Sequence, residues 1–289
     1  MTLDSAFSLP DASRLQSQLR AQLPHFPHIS WVMETDSTNA QLLKLARQDS
    51  GPSLRPWLLG AHLQTQGRGR AGRSWQNRSG ANLMFSCAFD VFLPARQLAT
   101  LSPLIGMASC EALRHLLEPE HQSELTMKWP NDVLWQGAKL AGILVETTRA
   151  STSPASADHH VVIIGIGVNL QDARSLSQSL NRQVADWSDV AKTSAKAAAA
   201  SCAAIVGSLA QSYYLSLNHV TAKGFADLPD RYRKVDHLLG QQVHIIHAEQ
   251  VLHTGIAQGI NETGHLMLRH PSGEQIVVSV GEVSVRPKR

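Results

Sequence analysis

The stretch Thr126-Met127-Lys128-Trp129-Pro130-Asn131-Asp132-Val133-Leu134-Trp135-Gln136-Gly137-Ala138-Lys139-Leu140-Ala141-Gly142-Ile143-Leu144-Val145-Glu146-Thr147 decides the fold. Thr126 to Trp129 and Val133 to Trp135 read as short strands around Pro130-Asn131-Asp132, Gln136-Gly137 supplies a turn, and Lys139 to Thr147 is a longer strand. Pro130 lacks an amide donor and has a fixed φ, which suits a strand end or edge. Gly142 inside an apolar strand marks a place where a ligand or another backbone comes close.

Working outward, Asp36-Ser37-Thr38-Asn39 ahead of Leu42, Leu43, Leu45 and Ala46 is a helix start. A strand ends near Leu63, and Asn82 to Phe89 is a buried strand. Leu101 to Leu117 is a helix stopped by Pro119. Val161 to Gly165 is an apolar strand running into Gly167 and Asn169, and Ala191 to Leu217 reads as one long Ala-rich helix. Ala150 to Asp158 is a polar Ser/Ala/Pro linker between strands. Before Trp31, Leu15, Leu19 and Leu23 recur at helical spacing in a short amphipathic lead-in that packs on the body. After His237 the strands become short and closely spaced, with turns at Asn261-Glu262-Thr263-Gly264 and Pro271-Ser272-Gly273, which suggests a small β-barrel. The expected layout is α+β: a lead-in over 1–30, a main domain over 31–236 and a small barrel over 237–289.

The bulk numbers narrow the function classes. The chain has 289 residues, 43% apolar and 17% charged, the composition of a globule rather than a disordered chain. Its formal charge of +3 does not by itself argue for nucleic acid. Cys87, Cys110 and Cys202 are widely spaced and form neither a disulfide framework nor a CxxC metal motif, so a reducing, cytoplasmic setting is expected. The N-terminus, with Asp4, has no basic and apolar signal pattern, and the Ala-rich stretch is too short and too weakly apolar to span a bilayer. Of the 14 histidines, His244 and His247 fall on opposite sides of a strand, and His159-His160 beside a polar hairpin is expected to face solvent. No Walker lysine and no G-x-S-x-G elbow occurs. No metal ligand is assigned.

Four segments are candidates to carry chemistry. Gln66-Gly67-Arg68-Gly69-Arg70-Ala71-Gly72-Arg73 alternates glycine and arginine, cannot bury a core, and should be mobile alone. It suits a loop that orders over a polyphosphate or acyl-phosphate, since guanidinium groups bind phosphate bidentately and glycines let backbone N–H groups approach an anion. A solvated basic turn or an Arg/Gly contact with RNA is the alternative. Lys128-Trp129-Pro130-Asn131-Asp132 places polar residues at a strand end, where sites form, though Pro-Asn-Asp is also ordinary turn chemistry. Lys139 opens an apolar strand and can span a carboxylate and a phosphate, or simply face solvent. Gly165-Ile166-Gly167-Val168-Asn169 lacks the third glycine of a dinucleotide fingerprint.

Together these segments resemble a biotin protein ligase (biotin–[biotin carboxyl carrier protein] ligase). The resemblance is carried by Asp36-Ser37-Thr38-Asn39, Gln64-Thr65-Gln66 through Arg73-Ser74-Trp75, Gly80-Ala81-Asn82-Leu83, Lys128 to Asp132, Lys139 to Glu146 and Gly165 to Asn169, in the family's order and spacing. It runs from about residue 31 to the C-terminus, where Gly281-Glu282-Val283-Ser284-Val285-Arg286 is similar to the family's closing strand. It implies a mixed β-sheet with helices packed on one side, of the class II aminoacyl-tRNA synthetase and biotin ligase kind, plus a C-terminal SH3-like small β-barrel. It implies a biotin–[acetyl-CoA-carboxylase] ligase that forms biotinyl-5′-AMP from biotin and ATP with Mg2+. Biotin then passes to a lysine of a biotin carboxyl carrier protein, the acetyl-CoA carboxylase subunit.

By the same resemblance, Ser37, Thr38, Asn39 and Gln64 hold the biotin head, and Arg68, Gly69 and Arg70 close over biotin and the adenylate. Lys139 contacts the biotin carboxylate and the α-phosphate. Arg70, Arg73, Lys128, Asn131 and Asn169 help with ATP, and Trp187 lies against adenine. Lys139 and Arg70 are the expected catalytic cations, and Asp132 the candidate base for the acceptor lysine. Bifunctional members carry an N-terminal DNA-binding domain, for which there is no room before Trp31, so the chain resembles the monofunctional class with no DNA and no membrane partner. Whether it acts as a homodimer is left open. Lipoate–protein ligase shares the route, an RNA-binding module would use the Arg/Gly loop alone, and a non-catalytic biotin binder would release no pyrophosphate.

Overall fold

The computed structural model describes residues 9–48, 54–150, 157–281 and 284–287. Residues 1–8, with Asp4, the central part of the polar linker (151–156), and Glu282 and Val283 of the closing segment lie outside them. The chain runs α1 (Ala12–Gln22), β1 (His28–Thr35), α2 (Thr38–Gln48), β2 (Trp57–Gln64), β3 (Asn82–Phe92), α3 (Leu101–Arg114), β4 (Leu125–Lys128), β5 (Asp132–Trp135), β6 (Ala138–Arg149) and β7 (His159–Asn169). There follow α4 (Ala173–Leu180), α5 (Trp187–Thr193), α6 (Ala195–Ala199), α7 (Cys202–Lys223) and α8 (Leu228–Arg233), then β8 (Gln242–His247), β9 (Gln250–Ile260), β10 (Leu266–Arg269), β11 (Gln275–Val278) and β12 (Ser284–Pro287).

The first seven strands form one mixed sheet in the order β1-β2-β3-β7-β6-β5-β4, with β1 and β2 parallel and the remaining neighbours antiparallel. Period-two alternation divides its faces. Leu83, Phe85, Cys87 and Phe89 of β3 and Ile164, Ile166 and Val168 of β7 point into the main core, where α1, α3 and α7 pack. The alternate residues face the other way: Ala88, Val161 and Ile163 meet Leu42, Leu43 and Ala46 of α2. Ser86, Gly142, Leu144, Gly165 and Gly167 continue that second face, where the candidate site lies. The mixed sheet backed by helices is therefore as expected, with α2 set apart on the site's face.

The lead-in is a structural part of the main domain, since Leu15, Leu19 and Leu23 of α1 and the following turn are fully buried. The single helix expected over 191–217 is instead three. Ser194 and Ser201 each accept a hydrogen bond from the amide three residues on, at 3.1 Å, and so cap α6 and α7. A serine cap is worth about 1 kcal/mol, which favours a new helix start at each of these two points. The helix expected over 101–117 ends at Arg114. His160, expected to face solvent, is buried; its pKa is lowered by burial and, to a lesser degree, by Arg149. Among the described residues, no helix is long and apolar enough to cross a membrane.

The C-terminal strands form a five-stranded antiparallel sheet in the order β11-β10-β9-β8-β12. Its Thr263–Gly264 turn is fastened to the main domain by two hydrogen bonds. Trp129 Nε1 donates to the Gly264 carbonyl at 3.0 Å, and Thr100 Oγ1 donates to the Thr263 carbonyl at 2.9 Å. Gly264 sits at φ +74°, and a Cβ there would lie 2.7 Å from Pro103, so this turn can dock on α3 because it has no side chain. The Trp129–Pro130 peptide is cis.

The joining segment lies along β4: Met127 N–H donates to the Val235 carbonyl at 2.7 Å and His237 N–H to the Met127 carbonyl at 2.9 Å. Asp236 in this segment has one oxygen accepting from Leu238 N–H at 2.8 Å and the other buried without a partner. Burial pushes its pKa up from 3.8 to about 6. The native state therefore binds the extra proton between those values, and stability falls as pH rises through that window. At about 1.4 kcal/mol per pKa unit the ionised carboxylate costs roughly 2–3 kcal/mol above pH 6. Asp236→Asn should raise the melting temperature by several degrees at pH 8 and much less at pH 4, measured by thermal melts at both; an equal shift at both pH values would contradict the assignment.

Candidate active site

The site is a cavity on the α2 face of the sheet, lined from α2, β2, the Arg/Gly loop, β5, β6 and β7. At one end, Ser37, Thr38 and Asn39 form the first turn of α2 and are buried. Asp36 fixes that turn: its Oδ1 accepts from Ser37 N–H at 2.5 Å and from Gln41 Nε2 at 2.8 Å, and these bonds hold its pKa below the ordinary value, Gln41 contributing most. Gln64, at the end of β2, accepts from Thr38 N–H at 2.7 Å. Its backbone is held by both ends of the Asn77 amide. Ser86 of β3 lies 2.6 Å from Thr38 Oγ1 and donates to Asn39 Oδ1 at 2.6 Å. The Asn39 amide nitrogen donates to Glu146 Oε2 at 3.0 Å. This end offers a row of fixed donors and acceptors suited to a polar, uncharged head group.

At the other end, Lys139 Nζ forms an ion pair with Asp132 Oδ1 at 2.5 Å and lies 5.7 Å from the centre of the Trp75 ring. Arg70 donates to Asn131 Oδ1 at 3.1 Å and to the Gly281 carbonyl of the C-terminal domain. Burial lowers the pKa of the Arg70 guanidinium, Asp132 opposes this, and Arg73 adds to it. Asn131 is itself clamped, its amide donating to the Ile143 carbonyl at 2.7 Å.

The floor is made by missing side chains. A Cβ on Gly165 would fall 2.1 Å from Asn39 Oδ1, and one on Gly167 would fall 2.5 Å from the Trp75 ring. Gly142, paired with Gly167 across β6 and β7, lies under the same ring. The strand glycines thus let Asn39 and Trp75 settle on the sheet, which accounts for the G-x-G that lacks a dinucleotide fingerprint.

The Arg/Gly loop, expected to be mobile alone, folds back on itself. Gly69 N–H donates to the Arg73 carbonyl at 2.7 Å and Trp75 N–H to the Gly67 carbonyl at 2.8 Å. Ala71 and Gly72 are both left-handed at its tip. Arg68 reaches Glu146 Oε1 at 2.8 Å, so one carboxylate holds both the loop and Asn39.

The structure thus brings Ser37, Thr38, Asn39, Gln64, Arg68, Gly69, Arg70, Arg73, Asn131, Asp132 and Lys139 to one cavity. Three expected residues are not on its wall. Trp187 is fully buried in the core, its indole N–H donating to the Ala197 carbonyl at 3.2 Å, so it is not available to stack on a base. Asn169 is buried and uses its amide on the carbonyls of Lys139 and Ala185 and on Asn82. It anchors the backbone of the lysine rather than a ligand. Lys128 is off the wall, opposite Asp132 in the β4–β5 pairing. Its pKa is lowered by burial, against the pull of Asp132.

Sequence reasoning missed Ser86, Glu146 and Arg182. Ser86 and Glu146 are legible once the sheet's inward and site-facing positions are counted out by twos, whereas Arg182 stands in a stretch with no periodic signal. The three cysteines are buried and free, with burial raising Cys110 to about 12 and Cys202 to about 11. They are thiols, not nucleophiles.

Residues 32–169 match the Biotin/lipoate A/B protein ligase family, and residues 238–286 match the biotin protein ligase C-terminal domain. A biotin–[acetyl-CoA-carboxylase] ligase from Paracoccus denitrificans is 32% identical over 249 residues, covering 85% of this chain and 96% of that protein. The bifunctional ligase/repressor BirA of Escherichia coli K12 is 30% identical over 265 residues, covering 91% of this chain and 76% of that protein. A structure of the Aquifex aeolicus biotin protein ligase in complex with biotin and ATP has the same fold, with a TM-score of 0.69 and 24% identity over 91% of this chain and the whole of that one. The chain belongs to the biotin/lipoate A/B protein ligase family, among its biotin protein ligases.

Proposed function

We propose that this chain is a biotin–[acetyl-CoA-carboxylase] ligase that makes biotinyl-5′-AMP and passes biotin to a lysine of a biotin carboxyl carrier protein. The observation that carries this reading is the division of one cavity into a neutral hydrogen-bonding end (Ser37, Thr38, Asn39, Gln64) and a cationic end (Arg70, Lys139), with Arg68 above. A ureido-bearing head group fits the first and an anionic tail the second.

In the first step a carboxylate oxygen attacks the α-phosphate and pyrophosphate leaves. Two anions must approach, and Lys139 with Arg70 offsets their repulsion in a site that excludes water. Lys139 can turn from Asp132 to bridge carboxylate and phosphate, since its four-carbon stem is flexible and its ammonium has three donors. Among the described residues no three His, Cys, Asp or Glu side chains gather to hold a metal; the cavity's Asp132 is paired with Lys139, and the neighbouring Glu146 with Arg68. This donor set fits a magnesium ion carried in on the ATP phosphates, with Asp132 as the protein oxygen in reach, where it would neutralise phosphate charge. In the second step an acceptor lysine attacks the acyl carbon of the anhydride as the neutral amine, the bond from that carbon to the phosphate oxygen breaks, and AMP leaves with the electron pair. Asp132, released by Lys139, takes the amine's proton. Ordering of the loop over the adenylate keeps water out between steps. We also place the protein in a reducing compartment, in keeping with its three unpaired, buried thiols.

Lys139→Ala should lower pyrophosphate release on adding biotin and ATP by about 100-fold or more, with an unchanged circular-dichroism spectrum. Release at the normal rate would refute the role of Lys139, and release driven by lipoate but not biotin would refute the substrate. Arg70→Gly removes charge-assisted contacts worth about 1.5–3 kcal/mol, so biotinyl-5′-AMP should escape roughly 10–100 times faster. Stopped-flow release of the adenylate and biotinylation of unrelated lysines would both report it.

A further inference from the structure

This inference rests on the adenylation reading above and concerns Arg182. Helix α4 ends at Asn181, whose left-handed φ of 46° turns the chain. The next residues run beside Lys139: its N–H donates to the Gln183 carbonyl at 3.1 Å, and its carbonyl accepts from Ala185 N–H at 3.0 Å. Buried Asn169 fastens the same spot by donating to both the Lys139 and Ala185 carbonyls. Arg182 is therefore placed by the backbone of the catalytic lysine itself.

Its side chain is exposed and has no ion-pair partner among the described residues. Arg182 lines the active-site cavity and also an adjoining cleft bounded by Trp135, Ala138, Gln183 and Lys192; among the described residues it is the one shared by the two. Strand β6 gives the order of positions. Leu144 accepts from Asn39 at the neutral end, Gly142 lies under Trp75, Lys139 follows, and Ala138 faces the second cleft. At about 3.3 Å per residue, Lys139 stands roughly 16 Å from Leu144. Arg182 lies beyond it, on the side away from the biotin-head residues.

The charge at this end exceeds what the first two anions require. Lys139, Arg286 and Arg182 all repel the Lys128 ammonium, and Asp132 is the carboxylate that opposes them, already paired with Lys139. Such a surplus of cations past the reacting lysine suits a ligand with more negative charge than a carboxylate and one phosphate.

We propose that Arg182 binds the β- and γ-phosphates of ATP, and the pyrophosphate they become, at the mouth between the two clefts. As the biotin carboxylate oxygen bonds to the α-phosphorus, the bond from that phosphorus to the bridging oxygen of the β-phosphate breaks. The electron pair stays on that oxygen and the departing pyrophosphate gains negative charge. A guanidinium at this point stabilises the leaving group without touching the acyl-adenylate. The second cleft is the route by which pyrophosphate departs while the adenylate stays under the Arg/Gly loop.

The test uses the full chain with Arg182→Ala and Arg182→Lys, and reads initial rates against ATP, biotin and carrier, with pyrophosphate and AMP as inhibitors. Arg182→Ala should raise the KM for ATP about tenfold and weaken inhibition by pyrophosphate about tenfold, the size expected for a lost charge-assisted contact. Biotin affinity, the KM for carrier and inhibition by AMP should stay within about twofold, and Arg182→Lys should recover part of the loss. An unchanged ATP KM and pyrophosphate inhibition would overturn the proposal. So would an equal loss of AMP inhibition, which would place Arg182 on the retained nucleotide, or a rise confined to the carrier KM. A wild-type chain that releases no pyrophosphate from biotin and ATP would instead remove the adenylation reading itself. Unchanged melting and biotin binding of both variants confirm their fold.

Discussion

The site depends on a patch of sheet without side chains. Gly142, Gly165 and Gly167 sit on adjacent strands and face α2, and their bare backbone lets Asn39 and the Trp75 indole lie against the sheet. With Trp75 seated, its N–H meets the Gly67 carbonyl, Arg68 pairs with Ser74, and the arginine loop returns across the cavity mouth. Lys139 then lies beside the ring rather than in open water. A methyl group at Gly165 or Gly167 would unseat the floor, and with it both ends of the cavity, so these glycines constrain more of the site than its cations do.

Much of this was legible in the chain. The short strands around Pro130-Asn131-Asp132, the turn at Gln136-Gly137 and the closely spaced strands after His237 follow from local turn chemistry, which tertiary packing rarely overrides. The residues of the site were legible where they stand in recognisable runs at strand ends or a helix start. Others depend on packing that no single stretch records. Trp187 and Asn169 carry suitable groups for a ligand, but the fold spends them on Ala197, Lys139 and Ala185. His160 looked polar and exposed, yet β7 carries it between β3 and β6, beneath neighbours that are distant in sequence. The alanine run was broken by Ser194 and Ser201, whose capping outweighed helix propensity.

Two carboxylates, Asp132 on the cavity wall and Glu146 behind Arg68 and Asn39, clarify its electrostatics. Asp132 holds Lys139, and Glu146 holds Arg68 while also fixing Asn39. On the proposed reading Asp132 keeps the place that a substrate anion takes, and Glu146 holds the loop from outside the cavity. A ligand entering the site exchanges one ion pair for another, so the cations are never left bare in a half-dry pocket, where an unpaired charge costs several kcal/mol. The same exchange frees an oxygen of Asp132 at the moment an amine needs a proton acceptor.

Trp129 links this chemistry to the far domain. Its side chain is locked to the Gly264 carbonyl, while its backbone leads directly into Pro130, Asn131 and Asp132. The contact that holds the C-terminal turn is thus adjacent in sequence to the clamp for Arg70 and the partner of Lys139. A single indole N–H therefore ties the small module to the hairpin that carries the cationic end of the cavity, so any change that unseats the Gly264 turn removes a support of that hairpin.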